Sequence, residues 1–297
     1  MLAMSNVGRF APSPSGLLHF GSLITALGSY LQAKSNNGEW LVRIEDIDPP
    51  REVVGAAQKI LFTLEQFGLH WDRDVLYQSN RLTIYQDIIN TLLKNKLAYY
   101  CNCTRQRIHG LTNQTYDNHC RHLQLSRTTQ QPMAVRIKQT SSIDSFVDGI
   151  RGKQTIMSND ASEDFIIYRK DGLIAYNLAV VIDDHYQGVT EIVRGADLLS
   201  VTFKQLSLYR LFNFTVPHYY HLPLALNSDR RKLSKQNHAQ PISTNNVRQL
   251  TVDALRFLGQ SIPDNWQDAS QEQLLQWAID HWQIKDIPKN DKLISSL

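Results

Sequence analysis

RFAPSPSGLLHFGSLITAL, Arg9 to Leu27, places two prolines, two glycines and one histidine between two apolar segments of different period. Before it, VGRFAPS reads as a short strand that the prolines bring to an end. After it, Leu23, Ile24, Leu27, Tyr30 and Leu31 recur at helical spacing from Phe20 to about Lys34. The stretch is therefore a strand-to-helix corner. Gly16 and Gly21 let the backbone approach a ligand closely, and Gly21 lies at the helix start. Unpaired N–H groups there favour phosphate, and His19, just ahead of the helix, can donate to an oxygen. An ordinary tight turn with a surface histidine reads the same way, so the corner alone decides the local fold and not the ligand.

Working outward, NNG at Asn36 to Gly38 stops the helix, and EWLVRIEDID follows as a buried strand with an acidic end. Helical periodicity resumes in PPREVVGAAQKILFTLEQFGL. Strand, helix, strand, helix predicts a parallel sheet with crossover connections, hence an α/β fold with a Rossmann-type nucleotide-binding core. Its first half spans 1–100. From Cys101 the chain turns polar and carries every cysteine, which predicts an inserted subdomain over 101–175. Glu163 to Gly195 looks strand-rich, with Lys170 to Gly172 as a hairpin turn. Ala196 to Phe212 is an amphipathic helix in the second half of the core, 176–240. The remainder, 241–297, reads as a small helical segment, with Ser243 or Thr244 as a cap.

Composition narrows the class. The 297 residues are 42% hydrophobic and 20% charged, values of an ordinary globular protein. No apolar run approaches the roughly 20 residues of a bilayer span, and MLAMSNVGRF lacks the pattern of a secretory signal. A net charge of +3 does not by itself argue for nucleic acid. Three cysteines confined to Cys101–Cys120 suit a reducing cytoplasm and a local metal site better than a disulfide framework.

A second segment adds chemistry. LALNSDRRKLSKQNHA places Lys232 and Lys235 three apart in a polar loop. Two ammonium groups suit the negative charge that develops on a departing phosphate, although such a loop by itself is more often merely solvated.

Taken together, these motifs resemble the class I aminoacyl-tRNA synthetases of the glutamyl type. HFGS, His19 to Ser22, resembles the HIGH signature, and KLSKQ, Lys232 to Gln236, resembles KMSKS. RFAPSPSGLLHFGS, RIEDIDPPR, YNLAVVIDDHYQGVTEIVRGADLL and HLPLALNSDRRKLSK follow in the family's order, over roughly residues 7 to 240. Ser22 stands where the signature ends in histidine, a change that glutamyl-type members tolerate. The resemblance implies that ATP, with Mg²⁺, lies against Pro12, Ser13, His19 and Gly21. It also implies that Lys235, assisted by Lys232, stabilises pyrophosphate as the amino-acid carboxylate attacks the α-phosphate. Arg9, Ala11, Ser13, Glu45, Tyr176 and Arg194 match the family's glutamate-contacting positions. Arginines suit bidentate carboxylate contacts, and a glutamate suits the ammonium.

Cys101, Cys103 and Cys120 supply three soft ligands for Zn²⁺, and a closed structural site needs a fourth. By chemistry alone His109, His119 or His122 is the usual choice. The glutamyl-queuosine branch of the family instead uses a tyrosine four residues before the last cysteine, here Tyr116, with His119 as the alternative. Arg105, Arg107, Arg121 and Arg127 around the cluster face either phosphates or solvent. Only 57 residues follow Gln240, too few for a separate anticodon-reading domain, which again resembles this truncated branch. The resemblance implies tRNA-independent activation of L-glutamate and its transfer to the cyclopentenediol of queuosine in the anticodon loop of tRNA(Asp). A cytoplasmic monomer with no membrane association is expected. A minimal enzyme charging a tRNA 3′ end, and a non-enzymatic RNA-binding relative, remain the alternatives.

Overall fold

The computed structural model describes residues 6–111, 115–126, 131–233 and 240–294. Strand β1 (Val7–Phe10) leads through the corner into helix α1 (Phe20–Ser35), which ends at Asn36 before β2 (Glu39–Ile44). Helix α2 (Ala56–Gln66) then crosses to β3 (Leu76–Tyr77), giving the parallel order β1-β2-β3 with Val7 opposite Glu39 and Arg43 opposite Leu76. Gly38 is forced by contact: a Cβ there would lie 2.4 Å from the Asn6 carbonyl oxygen.

After α3 (Leu82–Lys94), strand β4 (Ala98–Cys101) and the short α4 (Arg105–His109) begin the insertion. Strand β5 (Ala134–Ile137), the hairpin β6 (Ser145–Asp148) and β7 (Gly152–Thr155), the turn α5 (Ser158–Ala161) and β8 (Ile166–Tyr168) complete it. Strands β4, β5 and β8 form an antiparallel sheet whose core includes Val135, Phe165 and Ile167.

The expectation of strand from Glu163 to Gly195 fails in its middle, where Tyr176–Tyr186 forms helix α6. Leu178 to Ile182 are all buried, so no amphipathic period marks the helix, and Val180, Val181 and Ile182 locally favour strand. Packing on all sides overrides that preference. Its last turn carries two consecutive buried aspartates. Asp183 accepts from Gln78, Arg81 and Tyr85 at 2.6–2.7 Å, and Asp184 serves the core instead.

Strand β9 (Glu191–Gly195), helix α7 (Leu199–Phe212) and β10 (His218–Leu222) restore the parallel core, with Arg194 opposite His221. Thr190 donates its N–H to the Val7 oxygen at 2.9 Å, which sets β9 beside β1. Strand β11 (Ala225–Leu226) precedes the basic loop, and α8 (Val247–Phe257) and α9 (Gln271–Asp280) follow it. These helices share one core with α1 and β2, where Leu255 and Leu274 join Leu27 and Trp40. Ser243 caps a 3-10 turn, Thr244–Asn246, ahead of α8. The final stretch is not wholly helical: β12 (Lys292–Leu293) pairs in parallel with β11. Two residues are too few to show a strand period. Among the described residues no helix is long and apolar enough to cross a membrane.

Candidate active site and metal centre

Beyond the C-terminal ends of β1, β2 and β9 opens a cleft of about 610 Å³, the place where open α/β sheets bind ligands. Arg9, Ala11, Pro12, Ser13, His19, Gly21, Glu45, Tyr176, Arg194 and Lys232 all line it. Lys235 lies outside the described residues. The segments on either side of it are pinned to the corner. Leu233 O lies 3.6 Å from a Cβ built on Gly21, and Ile242 donates to the Leu18 oxygen at 3.0 Å.

The corner's special residues now have separate tasks. The carbonyls of Pro12 and Pro14 accept from Glu45 N and Val53 N at 3.0 and 2.9 Å, tying the turn to the end of β2 and to the segment that leads into α2. His19 caps α1, its Nδ1 accepting from Ser22 N–H at 3.3 Å. The neutral ring therefore carries its proton on Nε2. A Cβ on Gly21 would sit 3.1 Å from that ring, so glycine leaves room for the imidazole over the helix N-terminus.

Electrostatics behind the cleft are only partly legible in the sequence: the motifs give Arg9 and Glu45, and the fold alone gives their partners Asp184 and Arg43. Arg9 donates through Nε to Asp184 Oδ1 at 3.0 Å and through Nη2 to Oδ2 at 3.3 Å. Arg43 Nη1 lies 2.8 Å from Asp184 Oδ1, and its Nη2 donates to Glu45 Oε1 at 3.3 Å. All four groups are buried. Burial pushes the Asp184 carboxyl up, but Arg43 and Arg9 outweigh it and hold the group below the usual range. Burial also raises Glu45, here to about 6 against the pull of Arg43 and Arg9.

Arg194 is 3% exposed, and among the described residues no carboxylate lies within 4.0 Å of it. Its acceptors are neutral: Thr202 Oγ1 and Gln205 Oε1 at 2.8 Å, Leu198 O at 3.3 Å and His221 Nε2 at 3.1 Å. Nη1 reaches Tyr176 Oη at 3.5 Å on the cleft side. Protein groups already hold Nε and Nη2 of Arg194, which leaves Nη1 for a ligand. Arg9 spends Nε and one Nη2 proton on Asp184, so its Nη1 and second Nη2 proton remain for a bidentate contact. Lys232 meets Asp197 Oδ2 at 2.5 Å in a partly exposed pair.

In the insertion, the sulfurs of Cys101, Cys103 and Cys120 lie within 4.8 Å of one another. Tyr116 is 2% exposed, with Oη 3.7 Å from Cys101 Sγ and accepting from Cys120 N–H at 2.8 Å. His109, His119 and His122 are exposed. The donor set therefore fits a closed site of three sulfurs and one phenolic oxygen. Arg136 supports it, donating to Cys101 Sγ at 3.3 Å with its guanidinium 3.6 Å above the Tyr116 ring. Of the surrounding arginines, Arg107 pairs with Asp117 at 2.6 Å, Arg121 approaches Asp164 at 3.6 Å, and Arg127 lies outside the described residues.

Comparison with known proteins extends the picture. Residues 6–281 match the family described as tRNA synthetases class I (E and Q), catalytic domain. The chain is 56% identical over 287 residues to the glutamyl-Q tRNA(Asp) synthetase of Photorhabdus laumondii, covering 97% of this chain and 90% of that one. It is also 56% identical over 284 residues to the protein of the same name from Escherichia coli K12, covering 96% and 91%. Among solved structures, a glutamate tRNA ligase from Elizabethkingia meningosepticum in complex with its amino acid superposes with a TM-score of 0.78. The two are 25% identical, over 98% of this chain and 67% of that one. A glutamate-tRNA synthetase from Elizabethkingia anophelis gives 0.79 at 24% identity, over 99% and 68%, a likeness of fold.

Proposed function

Because the chain belongs to the class I tRNA synthetases of the E and Q group, we propose that it activates L-glutamate with ATP and esterifies queuosine in the anticodon loop of tRNA(Asp). The acceptor follows from relatives that share more than half of its residues across nearly its whole length. One observation carries the substrate: a buried, acid-free Arg194 and a buried Glu45 face one cleft. That pairing is the inverse of an amino acid with an extra carboxylate.

In this reading Glu45 pairs the substrate ammonium, while Arg194, Arg9 and Tyr176 meet the carboxylates. The α-carboxylate attacks the α-phosphorus of ATP, and pyrophosphate leaves. No protein nucleophile is needed, since positioning and electrostatics supply the rate. His19 Nε2–H and the first N–H groups of α1 face the ATP phosphates, with Ala11, Pro12, Ser13 and Gly21 forming the wall. Lys235, with Lys232, takes up charge on the leaving pyrophosphate, and Mg²⁺ enters with ATP. A diol oxygen of queuosine then attacks the mixed-anhydride carbonyl, and AMP departs. In the same reading the enzyme works in the cytoplasm, where its tRNA and ATP are found.

Glutamate-dependent ATP–pyrophosphate exchange without RNA tests the first step, and its absence overturns the assignment. Transfer is expected only to tRNA(Asp) carrying queuosine. Charging of tRNA(Glu), or equal labelling of tRNA(Asp) that lacks queuosine, rules out the acceptor.

Glu45 makes the first step dependent on pH. It must be ionised to pair an ammonium, and burial raises it to about 6. The KM for glutamate is thus expected to rise about tenfold from pH 7 to pH 5. Glu45→Gln should bind weakly with a flat profile over that range, and an unchanged profile in the variant removes Glu45 from the ammonium site. The stability effect has the opposite sense. A carboxyl raised on folding contributes below its unfolded value of about 4.5 and loses that contribution as pH rises through about 6.

We infer further that Cys101, Cys103, Tyr116 and Cys120 hold one structural Zn²⁺, which when bound ties the end of β4 to the 3-10 turn at His119–His122. Purified protein should contain one zinc per chain and lose thermal stability on chelation. Competition with a chromophoric chelator should show Tyr116→Phe weakening zinc at least about tenfold. If His119→Ala weakens it instead, the fourth ligand is His119.

A further inference from the structure

Arg194 owes its orientation to two residues that the reaction does not otherwise use. Its Nε donates to His221 Nε2 at 3.1 Å, from the register position directly opposite on β10. His221 is 0% exposed, and its Nδ1 lies 2.6 Å from Asp148 Oδ2. Asp148, at the end of β6 in the insertion, is 1% exposed and fully engaged. Its Oδ1 accepts from Ile150 N and Arg151 N at 3.0 and 2.8 Å, and its Oδ2 from His221 N at 3.1 Å.

Donor arithmetic fixes the protons. Arg194 Nε can only donate, so His221 Nε2 must present its lone pair. Thr202 Oγ1, 3.2 Å from the same nitrogen, spends its single proton on Leu198 O at 3.0 Å and does not compete as a donor. The imidazole proton therefore sits on Nδ1 and goes to Asp148. Burial, together with the charges of Arg194 and Arg151, favours the neutral ring against the pull of Asp148.

We propose that Asp148 and His221 are positioning residues for Arg194: Asp148 holds His221 as the Nδ1–H tautomer, whose Nε2 lone pair aims the guanidinium so that Nη1 faces the glutamate cleft. The arrangement lets a buried arginine be oriented without an adjacent carboxylate to neutralise it. Its charge stays available to the substrate. The proposal rests on the reading of Arg194 as a ligand of the substrate carboxylate.

Asp148→Asn tests the tautomer with almost no change of shape. The asparagine carbonyl stays on the Ile150 and Arg151 amides and also takes the His221 N–H, 3.3 Å from Oδ1, which turns its NH₂ toward His221 Nδ1. The imidazole proton then moves to Nε2 and meets Arg194 Nε–H, donor against donor. In glutamate-dependent exchange, the KM for glutamate should rise about tenfold or more, while the KM for ATP stays within about twofold. In Asp148→Asn/His221→Gln the glutamine oxygen accepts from Arg194 whatever stands at 148, and the glutamate KM should return to within about threefold of the wild type. A purely structural role would not be rescued in this way. If Asp148→Asn does not fold, His221→Phe against His221→Gln makes the same comparison, with only the former expected to lose glutamate. An unchanged glutamate KM, parallel loss of both substrates, or failure of the glutamine rescue overturns the relay. Absence of glutamate-dependent exchange in the wild type overturns the proposed function instead, so the two failures are distinguishable.

Discussion

Asp184→Ala is expected to lower the unfolding free energy by about 3–5 kcal/mol, the usual cost of removing one partner from a buried ion pair. Asp184 is bound to two guanidinium groups, Arg9 and Arg43, each almost wholly out of solvent. With alanine there, the two cations have only Glu45 between them, and Arg9 has no other acid within 4.0 Å among the described residues. Domains are marginally stable, by about 5–15 kcal/mol, so the loss is a large fraction of the total. Urea denaturation at pH 7 measures it. The sign with pH is fixed as well. Asp184 is depressed in the folded state, so its contribution is present above the unfolded carboxylate value and disappears as pH falls through the native one. The gap between wild type and variant should close in acid. A loss under about 1 kcal/mol at pH 7 means that the arginines find other partners, and that Asp184 does not anchor the site.

That anchor shows where the sequence stops being readable. The corner, α1 and β2 are legible because proline, glycine and a 3.6-residue period act over a few neighbours. The Arg9–Asp184 pair spans 175 positions, and the Asp148–His221 pair spans 73. No local pattern reports such partners. The one available hint is the Asp183-Asp184 doublet at the end of an apolar run, since consecutive acids are seldom buried without a cation on each side. The same run hid helix α6. Uniform burial erases the period that would have separated it from a strand. Without that helix in view, the two aspartates could not be given their separate partners, Arg81 and Tyr85 for Asp183 and Arg9 and Arg43 for Asp184. The candidate cleft residues lie in contiguous motifs, whereas the residues that orient them meet only in three dimensions.

Lys235→Ala is expected to raise the barrier to pyrophosphate exchange by about 2–4 kcal/mol, as for removal of a group that stabilises charge only in the transition state. Because the effect belongs to the leaving pyrophosphate, kcat should fall while the KM for glutamate changes little. Lys232→Ala should cost less. Its ammonium is already paired with Asp197 at 2.5 Å, so part of its charge is neutralised before ATP arrives. The comparison separates two uses of the KLSKQ segment. If Lys232 and Lys235 act as one interchangeable cationic patch, the single variants lose similar amounts and high salt, by screening the wild type, narrows the gap. If Lys235 is a positioned electrostatic stabiliser, its loss is the larger and salt leaves the gap unchanged. Unchanged exchange kinetics in Lys235→Ala removes that lysine from the mechanism and moves the role to Lys232. In that case the Asp197 pair must open during each turnover, and Asp197→Asn would accelerate exchange.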